Sequence, residues 1–209
     1  MSAPDTDKAV DMSGRERLTR MADFLFEVSM LRRTPRTGYQ FLGTGSENVA
    51  EHSFGTAVIG YALAHMAGAD PAKTALLCLF HDIHEARTGD FNYVNKLYNT
   101  HDARRAMQDG LKGTGLTQAV LALHDELEQS DSLEARLAQD ADQLDLMVNL
   151  KEALDLGNTY ARKWLDCAVE RLRTPQGREL AQAIMTTDHT DWWFLGPDAC
   201  WWQRKNGKG

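Results

Sequence analysis

The sequence predicts an all-α fold, a single helical bundle. Apolar residues recur at helical spacing through residues 15 to 31, 48 to 67, 71 to 88, 102 to 128, 132 to 156, 159 to 173 and 176 to 187. Alternating apolar and polar runs, the mark of half-buried strands, are scarce. The 209 residues are 43% hydrophobic, enough for one domain with a substantial core.

The helices carry their own punctuation. Asn48 and Glu51 have the spacing of a helix cap and its reciprocal partner, so His52 falls in the first turn of the helix over 48 to 67. Phe54, Val58, Ile59, Leu63 and Met66 are expected to form the face of that helix that packs into the core, with His52 aimed inward. Asp70-Pro71 pairs a capping residue with proline at the first helical position and opens a helix of about five turns that stops near Gly89. Asn99-Thr100-His101-Asp102 reads as the start of the next. The helix over 132 to 156 is apolar on most sides, with Leu137, Leu144, Leu146, Val148, Leu150 and Leu154, and should be central. Trp164, with Leu165 and Val169, reads as core in the helix that follows.

The chemistry gathers in Leu76-Leu77-Cys78-Leu79-Phe80-His81-Asp82-Ile83-His84-Glu85. At helical spacing Cys78, His81, Asp82 and Glu85 share one stripe, so two metal-ligand types and a nearby acid look the same way. Asp142 shares a stripe with Ala138, Asp145, Leu146 and Asn149, a setting where a carboxylate needs a metal, a cation or strong hydrogen bonds to stay charged. Asp140 and Asp145 are expected to meet solvent. Any one of these residues has an ordinary structural explanation. Three separated helices offering His, then His-Asp, then Asp fit a divalent metal better than chance.

These stretches resemble the HD-domain phosphohydrolases, and among them the 5′-deoxynucleotidase branch. The likeness runs through Met30-Leu31-Arg32-Arg33-Thr34-Pro35-Arg36-Thr37-Gly38-Tyr39, Glu47-Asn48-Val49-Ala50-Glu51-His52-Ser53, His81 to Asp90, and Asp140-Ala141-Asp142. The resemblance implies one divalent cation (Mn, Co, Fe, Ni or Mg) on His52, His81, Asp82 and Asp142. It implies catalysis by Glu85 with Asp90 as a second acid beside the substrate, and an arginine, Arg33, holding the nucleotide phosphate. The implied reaction is hydrolysis of (deoxy)ribonucleoside 5′-monophosphates by metal-activated water, in a protein that is often a homodimer. The bacterial pattern has tryptophan after that arginine where this chain has Thr34, and the loop leading to His52 looks longer here.

Two alternatives stand beside this reading. The order His52, His81-Asp82, His101, His124, Asp142 also fits HD proteins with two metals, which include phosphodiesterases and di-iron oxygenases. A non-catalytic nucleotide-binding module would keep the same ligands but has no need of Glu85 and Asp90.

Composition excludes other classes. A net charge of −7 argues against a surface for nucleic-acid polymers, whereas a mononucleotide needs only a local positive pocket. No apolar run is long enough to cross a membrane, and residues 1–14 read as a mobile polar tail rather than a leader. Cys78, Cys167 and Cys200 have no disulfide or metal spacing, as expected of the cytoplasm. The catalytic domain is expected over 15–188. The extension 189–209, rich in tryptophan, is expected to pack on it or at a dimer contact.

Overall fold

The computed structural model describes residues 13–194. Helix starts follow local chemistry. In α1 (Gly14–Ser29) and α3 (Val49–Ala67), Ser13 and Asn48 form reciprocal capping boxes with Glu16 and Glu51. In α4 (Pro71–Phe80), Asp70 accepts from the backbone N–H of Ala72 and Lys73 ahead of Pro71. A 3-10 turn at Met30–Arg33 and a short α2 (Tyr39–Leu42) lie between α1 and α3. The chain continues through α5 (Glu85–Thr88), α6 (Tyr93–Tyr98), α7 (Ala103–Leu111), α8 (Thr117–Gln129), α9 (Leu133–Asp155), α10 (Ala161–Glu170), α11 (Pro175–Thr186) and α12 (Asp191–Phe194). Among the described residues there are no strands, only a single antiparallel bridge between Pro35 and Asn48. None of their helices is long and apolar enough to cross a membrane.

α9 is the axis. It packs against α3, α4, α10 and α11, and Leu137, Leu144, Met147 and Leu150 on it are fully buried. Each such leucine contributes about 2 kcal/mol by leaving water. A second cluster, with Phe24, Leu31, Val49, Ile83 and Leu111, joins α1, α7 and α8 to the start of α3.

Several expectations are corrected. The helix expected over 71 to 88 is interrupted at residues 81–84. The His81 Nδ1 lies 2.5 Å from the Cys78 carbonyl, the acceptor that the Asp82 N–H would use in a continuous helix. The helix expected over 102 to 128 breaks between α7 and α8, where Gly113 and Gly115 take positive φ. The buried face of α3 is formed by Val49, His52, Ser53, Thr56, Gly60, Leu63 and Ala64, whereas Phe54, Val58 and Met66 are exposed. Small residues face the core there because α4 and α9 pack closely; a Cβ on Gly60 would lie 2.5 Å from Cys78 Sγ.

Asp140 and Asp145 are not at the surface either. Asp140 is fully buried and accepts from Arg173 N (2.7 Å), Thr174 N (2.8 Å) and Thr174 Oγ1 (2.6 Å), which ties α9 to the start of α11. Cys78 is buried as expected, whereas Cys167 is exposed. Trp192 is exposed on α12. Cys200, Trp201, Trp202 and most of the expected N-terminal tail lie outside the described residues.

Candidate metal centre

His52 stands in the first turn of α3, where the capping box fixes the helix start, and its ring is fully buried. Its Nδ1 donates to Asp145 Oδ2 at 2.7 Å, which leaves the Nε2 lone pair facing the other way. His81 is held alike by the contact of its Nδ1 with the Cys78 carbonyl. His52 Nε2 lies 3.0 Å from Asp142 Oδ1 and 3.7 Å from Asp82 Oδ2, and His81 Nε2 lies 3.0 Å from Asp82 Oδ2. Ligand atoms of His52, His81 and Asp142 all fall within 4.8 Å of one another. α3, the turn after α4 and α9 therefore deliver their donors to one point.

The donors fit a divalent cation. Both Nε2 atoms are buried without a hydrogen-bond partner, a cost that a bound ion would remove. Donors about 2.1 Å from one ion and at right angles to each other lie about 3.0 Å apart, the spacing seen here for the Asp142 and Asp82 pairs. Glu47, His52 and Asp145 form a second group of possible ligands, but that group would need the His52 Nδ1 already given to Asp145.

Charge is arranged to suit. Burial opposes protonation of His52, but Asp142 and Asp145 outweigh it and hold the imidazole at about 10. Burial likewise opposes charge on Asp142, yet the neighbouring His52 imidazole brings it down to about 2. Asp82 is held well below the usual carboxylate range by His81 and His52 despite burial. A proton on His52 thus occupies the place that the donors would give to a cation.

Around this point a cleft of about 200 Å³ opens, lined among others by Arg36, His81, Asp82, Glu85, Asp90 and Asp142. Glu85 is buried, and its Oε2 has no hydrogen-bond partner. Burial, with Asp82 and Asp90 nearby, pushes its carboxyl up to about 9. Arg36 Nη1 lies 3.4 Å from Asp82 Oδ2 and 3.3 Å from Asp90 Oδ1. Burial works against the charge on Arg36, but Asp82, Asp142, Asp90 and Glu85 outweigh it. Asp90 also accepts from Thr37 N (2.6 Å) and Thr37 Oγ1 (3.0 Å), so it pins the loop that presents Arg36.

Arg33, expected at the phosphate, does not line the cleft. It is exposed at the end of the 3-10 turn, with its guanidinium against Met30. The change of direction comes at Pro35, where the bridge to Asn48 and the Arg36 N to Glu47 O bond (2.9 Å) turn the chain so that Arg36 points inward. His84 is buried, bonded to Thr88 Oγ1 at 3.1 Å and stacked on His101 with centroids 5.2 Å apart. Burial depresses its imidazole to about 4. Neither His101 nor His124 belongs to any group of possible metal ligands among the described residues.

Asp145, Gly55 and Arg36 went unrecognised in the sequence. Asp145 had a legible signal in its place three residues after Asp142, on the same stripe. Gly55 supplies room: a Cβ there would lie 1.9 Å from Asp145 Oδ1.

The model of the HD domain family matches residues 28–184, a span that contains every donor described above. The chain is similar to the 5'-deoxynucleotidase HDDC2 of Danio rerio, 25% identical over 142 residues that cover 65% of this chain and 70% of that protein. It is also similar to the 5'-deoxynucleotidase HDDC2 of Bos taurus, 28% identical over 159 residues, 72% of this chain and 76% of that one. A solved structure, a predicted metal-dependent phosphohydrolase from Magnetospirillum magnetotacticum MS-1, aligns with a TM-score of 0.63 at 23% identity. It covers 80% of this chain and 90% of that chain, a likeness of fold.

Proposed function

Since the chain belongs to the HD domain family, we propose that it is a divalent-metal-dependent phosphohydrolase of nucleoside 5′-monophosphates, releasing nucleoside and phosphate. The deoxy series comes first, because the relatives are named 5'-deoxynucleotidases. The observation that carries the reading is the pair of buried, unpartnered Nε2 atoms of His52 and His81. They face Asp82 and Asp142 at the inner end of a cleft that also holds Glu85 and Arg36.

His52, His81, Asp82 and Asp142 would hold one ion, with Mn, Co, Fe, Ni and Mg all compatible with two nitrogen and two oxygen donors. Bound there, the ion would polarise the phosphoryl group and lower the pKa of a nearby water. Arg36 offers a planar set of donors to the phosphate oxygens, and Asp90, which lines the same cleft beside the substrate, keeps that guanidinium in place. Glu85, held protonated at neutral pH by burial and its acidic neighbours, gives its proton to the departing 5′ oxygen.

The one-metal reading is preferred to the two-metal alternative because His101 and His124 join no ligand group among the described residues. The test is metal content per chain together with phosphate release from deoxyribo- and ribonucleoside 5′-monophosphates after addition of Mn²⁺ or Co²⁺. About one ion per chain with phosphate release is expected, and Glu85→Gln should keep the ion while losing turnover by about 10²-fold or more. Two ions per chain without release from any monophosphate would overturn the proposal.

A further inference from the structure

The cleft has two unlike parts. One part of the lining is His81, the carboxylates and Arg36; another, which we call the outer wall, is Tyr93 from α6, Leu146 from α9 and Trp164 from α10. Lys96 and Arg171 line the cleft as well, but the faces of the two rings and Leu146 offer a phosphate no charge. The two aromatic rings meet edge to face, with centroids 6.4 Å apart and planes at 68°. Each is held from behind or beside. The Arg171 guanidinium lies 4.4 Å from the Tyr93 ring centre and is also bonded to the Tyr93 hydroxyl. Trp164 packs by Gly38, where an added Cβ would sit 3.5 Å from its Cζ3. A second cavity of about 140 Å³ is lined by the same Tyr93, Leu146, Trp164 and Arg171.

We infer that Trp164 and Tyr93 form the subsite for the planar ring of the substrate, so that an aromatic nucleobase stacks there while its phosphate lies at Arg36. This rests on the nucleotidase reading above and names the part of the substrate that the reading leaves open. With the phosphate end at Arg36, the remainder of the molecule has the Tyr93 and Trp164 rings to stack on within the same cleft. Two rigid rings cost little entropy to order and accept any base by its π-face. Discrimination between bases is therefore weak, and discrimination against a sugar phosphate without a base is strong.

The test compares kcat/KM for dAMP, dCMP and 2-deoxyribose 5-phosphate in metal-loaded wild type, Trp164→Ala and Trp164→Phe. It is paired with calorimetric binding of deoxyadenosine, which carries no phosphate and does not react. Wild type should prefer either nucleotide over 2-deoxyribose 5-phosphate by tenfold or more. Trp164→Ala should bring that ratio close to one, and Trp164→Phe should restore most of it. Deoxyadenosine binding should weaken in parallel. A ratio unchanged in Trp164→Ala overturns the inference, as does wild type that does not bind deoxyadenosine. If no phosphate is released from any of the three esters, the nucleotidase reading fails. Loss of deoxyadenosine binding in Trp164→Ala would then still support the subsite.

Discussion

Gly55→Ala is expected to weaken metal binding although position 55 touches no donor. In the interior of α3 the substitution would ordinarily stabilise the helix by about 1 kcal/mol, since glycine is the poorer helix former. Here the new methyl would lie 1.9 Å from Asp145 Oδ1 and 3.0 Å from its Cγ, so the carboxylate must move by roughly 1 Å or more to reach ordinary contact. That breaks the 2.7 Å bond from His52 Nδ1 and strands a buried donor. Losing a hydrogen bond to a charged partner costs about 1.5–3 kcal/mol, which outweighs the gain in propensity. Loss of the partner that orients a ligating histidine lowers metal affinity by about 10–100-fold, or about 1.4–2.8 kcal/mol. The assay is competition for Mn²⁺ or Co²⁺ against a chelating dye, with thermal melts in chelator to confirm folding. Asp145→Ala should show a similar loss. The double variant should be little worse than Asp145→Ala, because the methyl then has no carboxylate to displace. Unchanged affinity in Gly55→Ala, or additive losses in the double variant, would refute the role given to Asp145.

Arg36→Ala should raise KM for a nucleoside monophosphate by about 10–100-fold, the worth of charge-assisted hydrogen bonds to phosphate, whereas Arg33→Ala should stay within about twofold in steady-state kinetics. Asp140→Ala leaves two backbone N–H groups and one hydroxyl unpaired in the interior. A cost of about 3 kcal/mol would lower Tm by roughly 6–12 °C while metal affinity, measured by the same dye competition, holds. His52, held at about 10 by Asp142 and Asp145, carries a proton at neutral pH that the ion must displace. Calorimetry in buffers of different ionisation enthalpy should therefore detect about one proton released per ion. Affinity should rise roughly tenfold per pH unit and level off as pH passes through about 10. Proton uptake, or affinity that falls between pH 7 and 9, would count against that assignment.

Much of this protein is legible in local sequence, because helix propensity, capping and periodicity act within a turn or two. The Asn48–Glu51 box and Asp70-Pro71 mark helix starts where the structure has them, and the apolar circumference of residues 132 to 156 marks α9 as central. Which residue types can meet at a metal, and on which helices, follows from the same spacing. Other features depend on what packs against each helix. α3 turns Phe54 and Val58 to the surface and buries small residues, since close approach of α4 and α9 leaves no space for large ones. Asp145 reads as solvated until a partner 93 residues away, His52, is seen at its side. Arg33 and Arg36 are indistinguishable by type, and only the turn after Pro35 aims one of them at the cleft. Sequence determined the helices and the chemical types they carry, because those forces are local. Tertiary structure decided which side chain faces which, because burial and long-range hydrogen bonds exist only once distant segments have met.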